Sequence, residues 1–136
     1  MNDCIFCKIV NGDIPSYKIY EDDRVFAFLD IKPLSKGHTL VLPKEHFENV
    51  FDIPKDLYAY MFEVAKNISA NIKEKYEPEG IFINQNNGEM AGQSVPHIHI
   101  HVKPIYNESQ KNKEEDKRMQ LSTEDMEKIC NDLKIA

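Results

Sequence analysis

The run His97-Ile98-His99-Ile100-His101-Val102 alternates an imidazole with a branched apolar side chain at every step. Residues at i, i+2 and i+4 of a strand point to one face, so the run reads as a β-strand with three rings on one side. Ile98, Ile100 and Val102 then form an apolar row that faces a core. Three of the chain's five histidines on one strand is more than packing asks for. Histidine is the side chain best suited to nucleophilic and acid–base work near neutral pH. A metal centre built from all three rings does not fit a flat strand. Same-face neighbours stand about 6.6 Å apart, which puts His97 and His101 about 13 Å from each other. Metal–nitrogen bonds are only about 2.0–2.1 Å.

Around this strand the chain reads as α+β, a five-stranded antiparallel sheet with one long helix and short terminal helices. Residues 3–11 read as a short helix stopped by Asn11-Gly12. Lys18–Glu21 and Arg24–Leu29 read as a hairpin about Asp22-Asp23, and His38–Leu42 as a third strand. Pro54 opens the longest element, whose apolar stripe Leu57, Met61, Val64, Ala65, Ile68 and Ile72 has helical spacing. Gly80–Asn84 and His97–Lys103 supply the last two strands, leaving a sheet covered on one face. Asn107–Arg118 is polar with mixed charges and reads as a solvated loop. Leu121-Ser122-x-x-Asp125-Met126 starts a final helix, with a serine cap and a buried side of Met126, Ile129, Cys130 and Leu133.

The 136 residues make one domain, with a core over 4–104 and a C-terminal tail and helix over 105–136. With 41% hydrophobic and 29% charged residues, a globular core forms without disulfide staples. The net charge of −6 excludes a protein that coats nucleic acid or binds an anionic membrane surface. It leaves room for a single phosphate pocket. No basic region followed by an apolar run opens the chain, and no apolar run reaches the ~18 residues of a span. Cys4-x-x-Cys7 suits a reducing compartment, so a cytoplasmic location is expected. The pair has the spacing of half a zinc site, and His46 and His97 are available to complete it. Two reduced thiols on one helical turn is the plainer alternative.

The histidine run, with its lead-in Ala91-Gly92-Gln93-Ser94-Val95-Pro96, resembles the histidine-triad family, whose signature is His-x-His-x-His with apolar residues between. The resemblance covers about residues 4–104, and it implies an enzyme that cleaves purine nucleotide derivatives at the α-phosphate. His99 matches the middle histidine, which attacks phosphorus and forms a nucleotidyl-imidazole that water then cleaves. His101 matches the hydrogen-bond donor to the phosphate oxygens, and His97 the residue whose carbonyl orients the nucleophile. His38 falls where the family keeps a histidine behind the triad. In the glycine-containing loop, Asn86, Gly92 and Gln93 match phosphate-side positions. Ser94 matches the hydroxyl that supplies the leaving group's proton. Asp30 matches an acid that accepts from the ribose hydroxyls. Phe6, Ile9, Phe28, Leu29 and Ile31, together with Ile5, are expected to wall the base.

Further implications of the resemblance are a structural Cys4, Cys7, His46 and His97 zinc site and a two-fold homodimer. Lys103 departs from the pattern, which places an apolar residue there. By alternation it falls on the histidine face, and a solvent-facing lysine at a strand end is the simple reading. The activity expected is a nucleotide phosphoramidase of the Hint type. The alternatives are a dinucleoside polyphosphate hydrolase and a non-catalytic purine-nucleotide-binding module.

Overall fold

Asp22 closes the first hairpin with its side chain. Its Oδ1 accepts the Arg24 and Val25 amides, both at 2.8 Å, and so turns the chain back on itself. The computed structural model describes residues 3–111 and 118–135. It contains α1 (Ile5–Val10), β1 (Lys18–Glu21), β2 (Val25–Leu29), β3 (Thr39–Pro43), α2 (Lys55–Tyr76), β4 (Gly80–Gln85), β5 (Ile100–Ile105) and α3 (Thr123–Leu133). The strands form one sheet in the order β1-β2-β3-β5-β4, and every neighbouring pair is antiparallel. The α+β class, with five antiparallel strands and one long helix, stands as expected.

Pro54 caps α2, whose buried side is Leu57, Met61, Val64, Ala65, Ile68 and Ile72, the whole of the stripe. These side chains pack on Val25, Ala27, Leu29, Val41, Ile98, Ile100 and Val102. Burying each large apolar side chain stabilises by about 1.5–3 kcal/mol, so this layer holds the sheet flat against its helix. α3 adds Met126, Ile129, Cys130 and Leu133 to the same core. Its cap is Ser122, whose hydroxyl accepts the Asp125 amide at 3.0 Å.

Two details differ from the sequence expectation. The centre of the sheet is covered on both faces, because Phe6 and Ile9 of α1 sit on Phe26, Phe28, Leu40 and Leu42. Accordingly, every residue of β2 and β3 is buried. The second difference is the start of the histidine strand, which enters the ladder at Ile100 rather than His97. β4 ends at Gln85, the partner of Ile100, and the Ile98 amide donates to the Phe47 carbonyl at 2.8 Å instead. His97, at a bend, and His99 are therefore carried on the segment just before the strand. Among the described residues no helix is long and apolar enough to cross a membrane.

Candidate functional site

Three buried histidines, His38, His99 and His101, meet beside β3 and β5, and their partners determine where each proton sits. His99 Nδ1 lies 2.8 Å from the His97 carbonyl oxygen, which only accepts. The ring nitrogen therefore donates, and a neutral His99 keeps its lone pair on Nε2. The Leu34 amide donates to His38 Nδ1 at 3.1 Å. Neutral His38 then carries its proton on Nε2, which points at His101 Nδ1 3.1 Å away. His101 accepts there, so its own proton sits on Nε2. Burial pushes the His38 pKa down to about 2, reinforced by the neighbouring His101. His99 is also lowered, by burial first, against the bond to His97, which raises it. Both rings are neutral at pH 7. The His99 and His101 rings stand 4.9 Å apart, and Phe6 meets His99 edge-on at 5.0 Å.

Beside the histidines opens a cleft of about 760 Å³ lined by Asn84, Asn86, Glu89, Gly92, Gln93, Ser94 and Lys103. Gly92 has φ +94, which favours glycine, and a Cβ there would crowd the Asn86 amide nitrogen at 3.1 Å. Asn86 Oδ1 accepts from Asn84 Nδ2 at 3.2 Å. Ser94 stands exposed at the rim. Gln93 turns its side chain onto the backbone around it. Its Nε2 donates to the Glu48 and Val95 carbonyls at 2.6 and 3.0 Å, and its Oε1 accepts the Gly88 amide at 2.8 Å. Both N–H donors are spent on backbone, so Gln93 shapes the loop from within.

Lys103 corrects one reading. It is only 8% exposed and lines the cleft rather than facing solvent. Asn84 is a residue that sequence reasoning passed over. It lies directly across from His101 in the ladder, a position legible only once the β4–β5 register is known.

At the opposite end, Asp30 closes β2. Its Oδ1 accepts the Lys32 amide at 2.9 Å, and its Oδ2 accepts from Arg118 Nη1 at 3.0 Å. His38 Nε2 is 3.8 Å from the same Oδ2. The stretch 107–118, expected to be solvated, is thus pinned at its far end to the site; its residues 112–117 lie outside the described ones. Phe6, Ile9 and Phe28 share one apolar layer with Leu40, which the sequence reading did not include. Leu40 was findable, since it shares the parity of His38. Leu29 does not belong to that layer. Alternation along β2 turns it to the other face, into the core beneath α2. Ile31 is 63% exposed and Ile5 47% exposed, both outside the layer's buried part.

The ring of His97 leaves the other histidines and turns to the N-terminal cysteines. Ligand atoms of Cys4, Cys7, His46 and His97 all lie within 4.8 Å of one another. His97 Nδ1 is 3.3 Å from Cys4 Sγ and 3.6 Å from Cys7 Sγ, while His46 Nδ1 is 3.4 Å from Cys7 Sγ. A tetrahedral zinc site with ordinary Zn–S and Zn–N bonds has S–N edges of about 3.6 Å, so these three sulfur–nitrogen pairs match such a site. His97 Nε2 donates to the Pro43 carbonyl at 2.9 Å, which leaves the Nδ1 lone pair aimed at the cluster. Burial and the neighbouring Cys4 push the Cys7 thiol up to about 11 when no metal is present.

Comparison with known proteins agrees with this geometry. The family model of the HIT domain matches residues 11–108. Protein hit of Bacillus subtilis is 52% identical over 103 residues, covering 76% of this chain and 71% of that protein. Adenosine 5'-monophosphoramidase HNT1 of Candida albicans is 41% identical over 110 residues, covering 78% and 72%. A crystal structure of a zinc-bound histidine triad family protein from Mycobacterium smegmatis superposes with a TM-score of 0.82 at 37% identity, covering 97% of this chain and 94% of that one. The chain belongs to the HIT domain family, the histidine-triad proteins.

Proposed function

We propose that this chain is a nucleotide phosphoramidase, a hydrolase that cleaves at the α-phosphate of purine nucleotide derivatives through a covalent intermediate on His99. One observation carries the reading: His99 Nδ1 is committed to the His97 carbonyl at 2.8 Å, which leaves Nε2 as a buried, neutral nucleophile. In the first step the Nε2–P bond forms while the bond from phosphorus to the leaving amine breaks. Ser94 supplies the amine's proton and regains one from solvent. Water then attacks phosphorus and gives up a proton to solvent, the Nε2–P bond breaks, and the nucleoside monophosphate departs with His99 neutral again. His101 donates from Nε2 to a non-bridging oxygen, and it stays in that tautomer because His38 donates to its Nδ1 at 3.1 Å. Asn86 and the backbone around Gly92 complete the phosphate cradle.

The nucleoside lies toward α1, its base against Phe6, Ile9 and Phe28 and its ribose hydroxyls on Asp30. The cluster of Cys4, Cys7, His46 and His97 holds a structural zinc, since four protein donors leave no position open for substrate. The ion would fix His97, and through the His97 carbonyl the orientation of His99. The relative named adenosine 5'-monophosphoramidase supports the phosphoramidate reading. The protein works in the cytoplasm as a two-fold homodimer in this account.

A second reading, hydrolysis of dinucleoside polyphosphates, is favoured by one feature. Lys103 and Ser94 both line the cleft, and a lysine there would help to stabilise a polyphosphate leaving group. Hydrolysis of adenosine 5′-phosphoramidate beside diadenosine tetraphosphate separates the two. Faster turnover of the phosphoramidate, measured as kcat/KM, is expected. Preference for the tetraphosphate moves the assignment to the second reading. Binding of AMP with cleavage of neither leaves a nucleotide-binding module.

A further inference from the structure

The acid at the end of β2 is held by a residue 88 positions further along the chain. Arg118 Nη1 donates to Asp30 Oδ2 at 3.0 Å and to the Lys32 carbonyl at 2.6 Å. Next to it, the Met119 amide donates to the Pro33 carbonyl at 2.7 Å. Three bonds therefore stitch residues 118–119 onto residues 30–33. The pair is sheltered, with side-chain exposures of 24% for Arg118 and 15% for Asp30. On the other oxygen of Asp30 sits the Lys32 amide at 2.9 Å.

A carboxylate has about four lone-pair positions. Here one on each oxygen is already taken, from two different directions, so the plane of the group is fixed. The two that remain, one per oxygen, suit a pair of adjacent hydroxyls. We infer that Arg118 is a positioning residue that orients Asp30 toward a vicinal diol and thereby sets a preference for ribose over sugars lacking the 2′- and 3′-hydroxyls. The inference rests on reading Asp30 as the ribose acid. It assigns the C-terminal segment a part in sugar recognition that lies outside the histidine motif altogether. The effect of the contact is geometric, acting through the direction of two hydrogen bonds to the ligand.

The test measures binding of AMP and of 2′,3′-dideoxy-AMP by calorimetry to the full-length wild type, Arg118→Ala, Arg118→Lys and Asp30→Asn. Wild type is expected to favour AMP. Arg118→Ala should weaken AMP binding about five- to tenfold, the worth of one well-directed hydrogen bond. It should move dideoxy-AMP less than twofold, so the preference collapses. Arg118→Lys, which restores charge without the planar fork, should recover part of it. In the double variant Asp30→Asn/Arg118→Ala, the two losses should not add. Equal weakening of both ligands by Arg118→Ala would make the residue merely structural and overturn the inference. Tighter AMP binding would do the same, since Arg118 would then be a competitor of the sugar. If Asp30→Asn leaves the sugar preference intact, the reading of Asp30 itself fails. Loss of preference in Asp30→Asn but not in Arg118→Ala overturns the role of Arg118 alone.

Discussion

At the scale of single residues, the site is a set of proton positions enforced by groups that cannot change theirs. The Leu34 amide and the His97 carbonyl are backbone, and they fix His38 and His99 in opposite tautomers. This arrangement has a cost in acid. His38 is fully buried and holds no proton until about pH 2, whereas an unfolded histidine takes one up near pH 6.5. Its contribution to stability is therefore complete above about pH 6.5 and is lost as the pH falls toward the folded value, because the unfolded state binds the extra proton. The slope from one such proton is about 1.4 kcal/mol per pH unit. Urea unfolding at pH 7.5, 6 and 5 should show wild type losing stability more steeply than His38→Asn, by about that slope at the acid end. Parallel curves would contradict the burial of a neutral ring.

The histidine face was legible because a strand's side-chain period is two and the run of imidazoles obeys it. Alternation assigns a face but says nothing of what covers a strand's end, which is why Lys103 was expected in solvent. The direction of the Gln93 side chain was hidden for a related cause. An amide in a loop serves whichever backbone groups the loop leaves unpaired, and that depends on how Glu48 approaches from another segment.

At the scale of elements, α2 was the most legible feature, since its six apolar positions recur at helical spacing and all are buried. The start of β5 was not, because a ladder begins where its partner strand begins, and β4 stops at Gln85. Helix α1 shows how a weak element is made to stay. Six residues are far too few to hold a helix in water. Two of its anchors are Phe6 and Ile9, and the other is the cysteine–histidine cluster at its N-terminus. Elemental analysis of untagged protein should find about one zinc ion per chain, as a four-ligand site implies. Cys7→Ser should lose the ion, lower the melting temperature and weaken AMP binding, because Phe6 and Ile9 lose their seat. A metal-free protein with the same melting temperature and the same AMP affinity would contradict the clamp.

At the scale of the whole molecule, the two edges of the sheet are treated differently. Along β1 the edge is engaged by the C-terminal helix region: Ile135 donates to the Ile19 carbonyl at 2.9 Å, and the Cys130 thiol to the Lys18 carbonyl at 3.2 Å. β4 is the other edge, and there Ile83 is 42% exposed. An edge strand with an exposed branched side chain is suited to pairing with its own copy across a two-fold axis. Light scattering should give a mass of about 32 kDa, twice the 15.8 kDa of one chain. Ile83→Lys should shift the species toward the monomer. A 15.8 kDa species at all concentrations would refute the pairing.

The account turns on His99 as the nucleophile, so the most direct measurement is turnover of adenosine 5′-phosphoramidate by wild type and His99→Ala, with AMP affinity measured on the same samples. Loss of a covalent nucleophile should lower kcat by at least about a thousandfold while AMP still binds. Turnover by His99→Ala within tenfold of wild type would show that the chemistry does not pass through this ring.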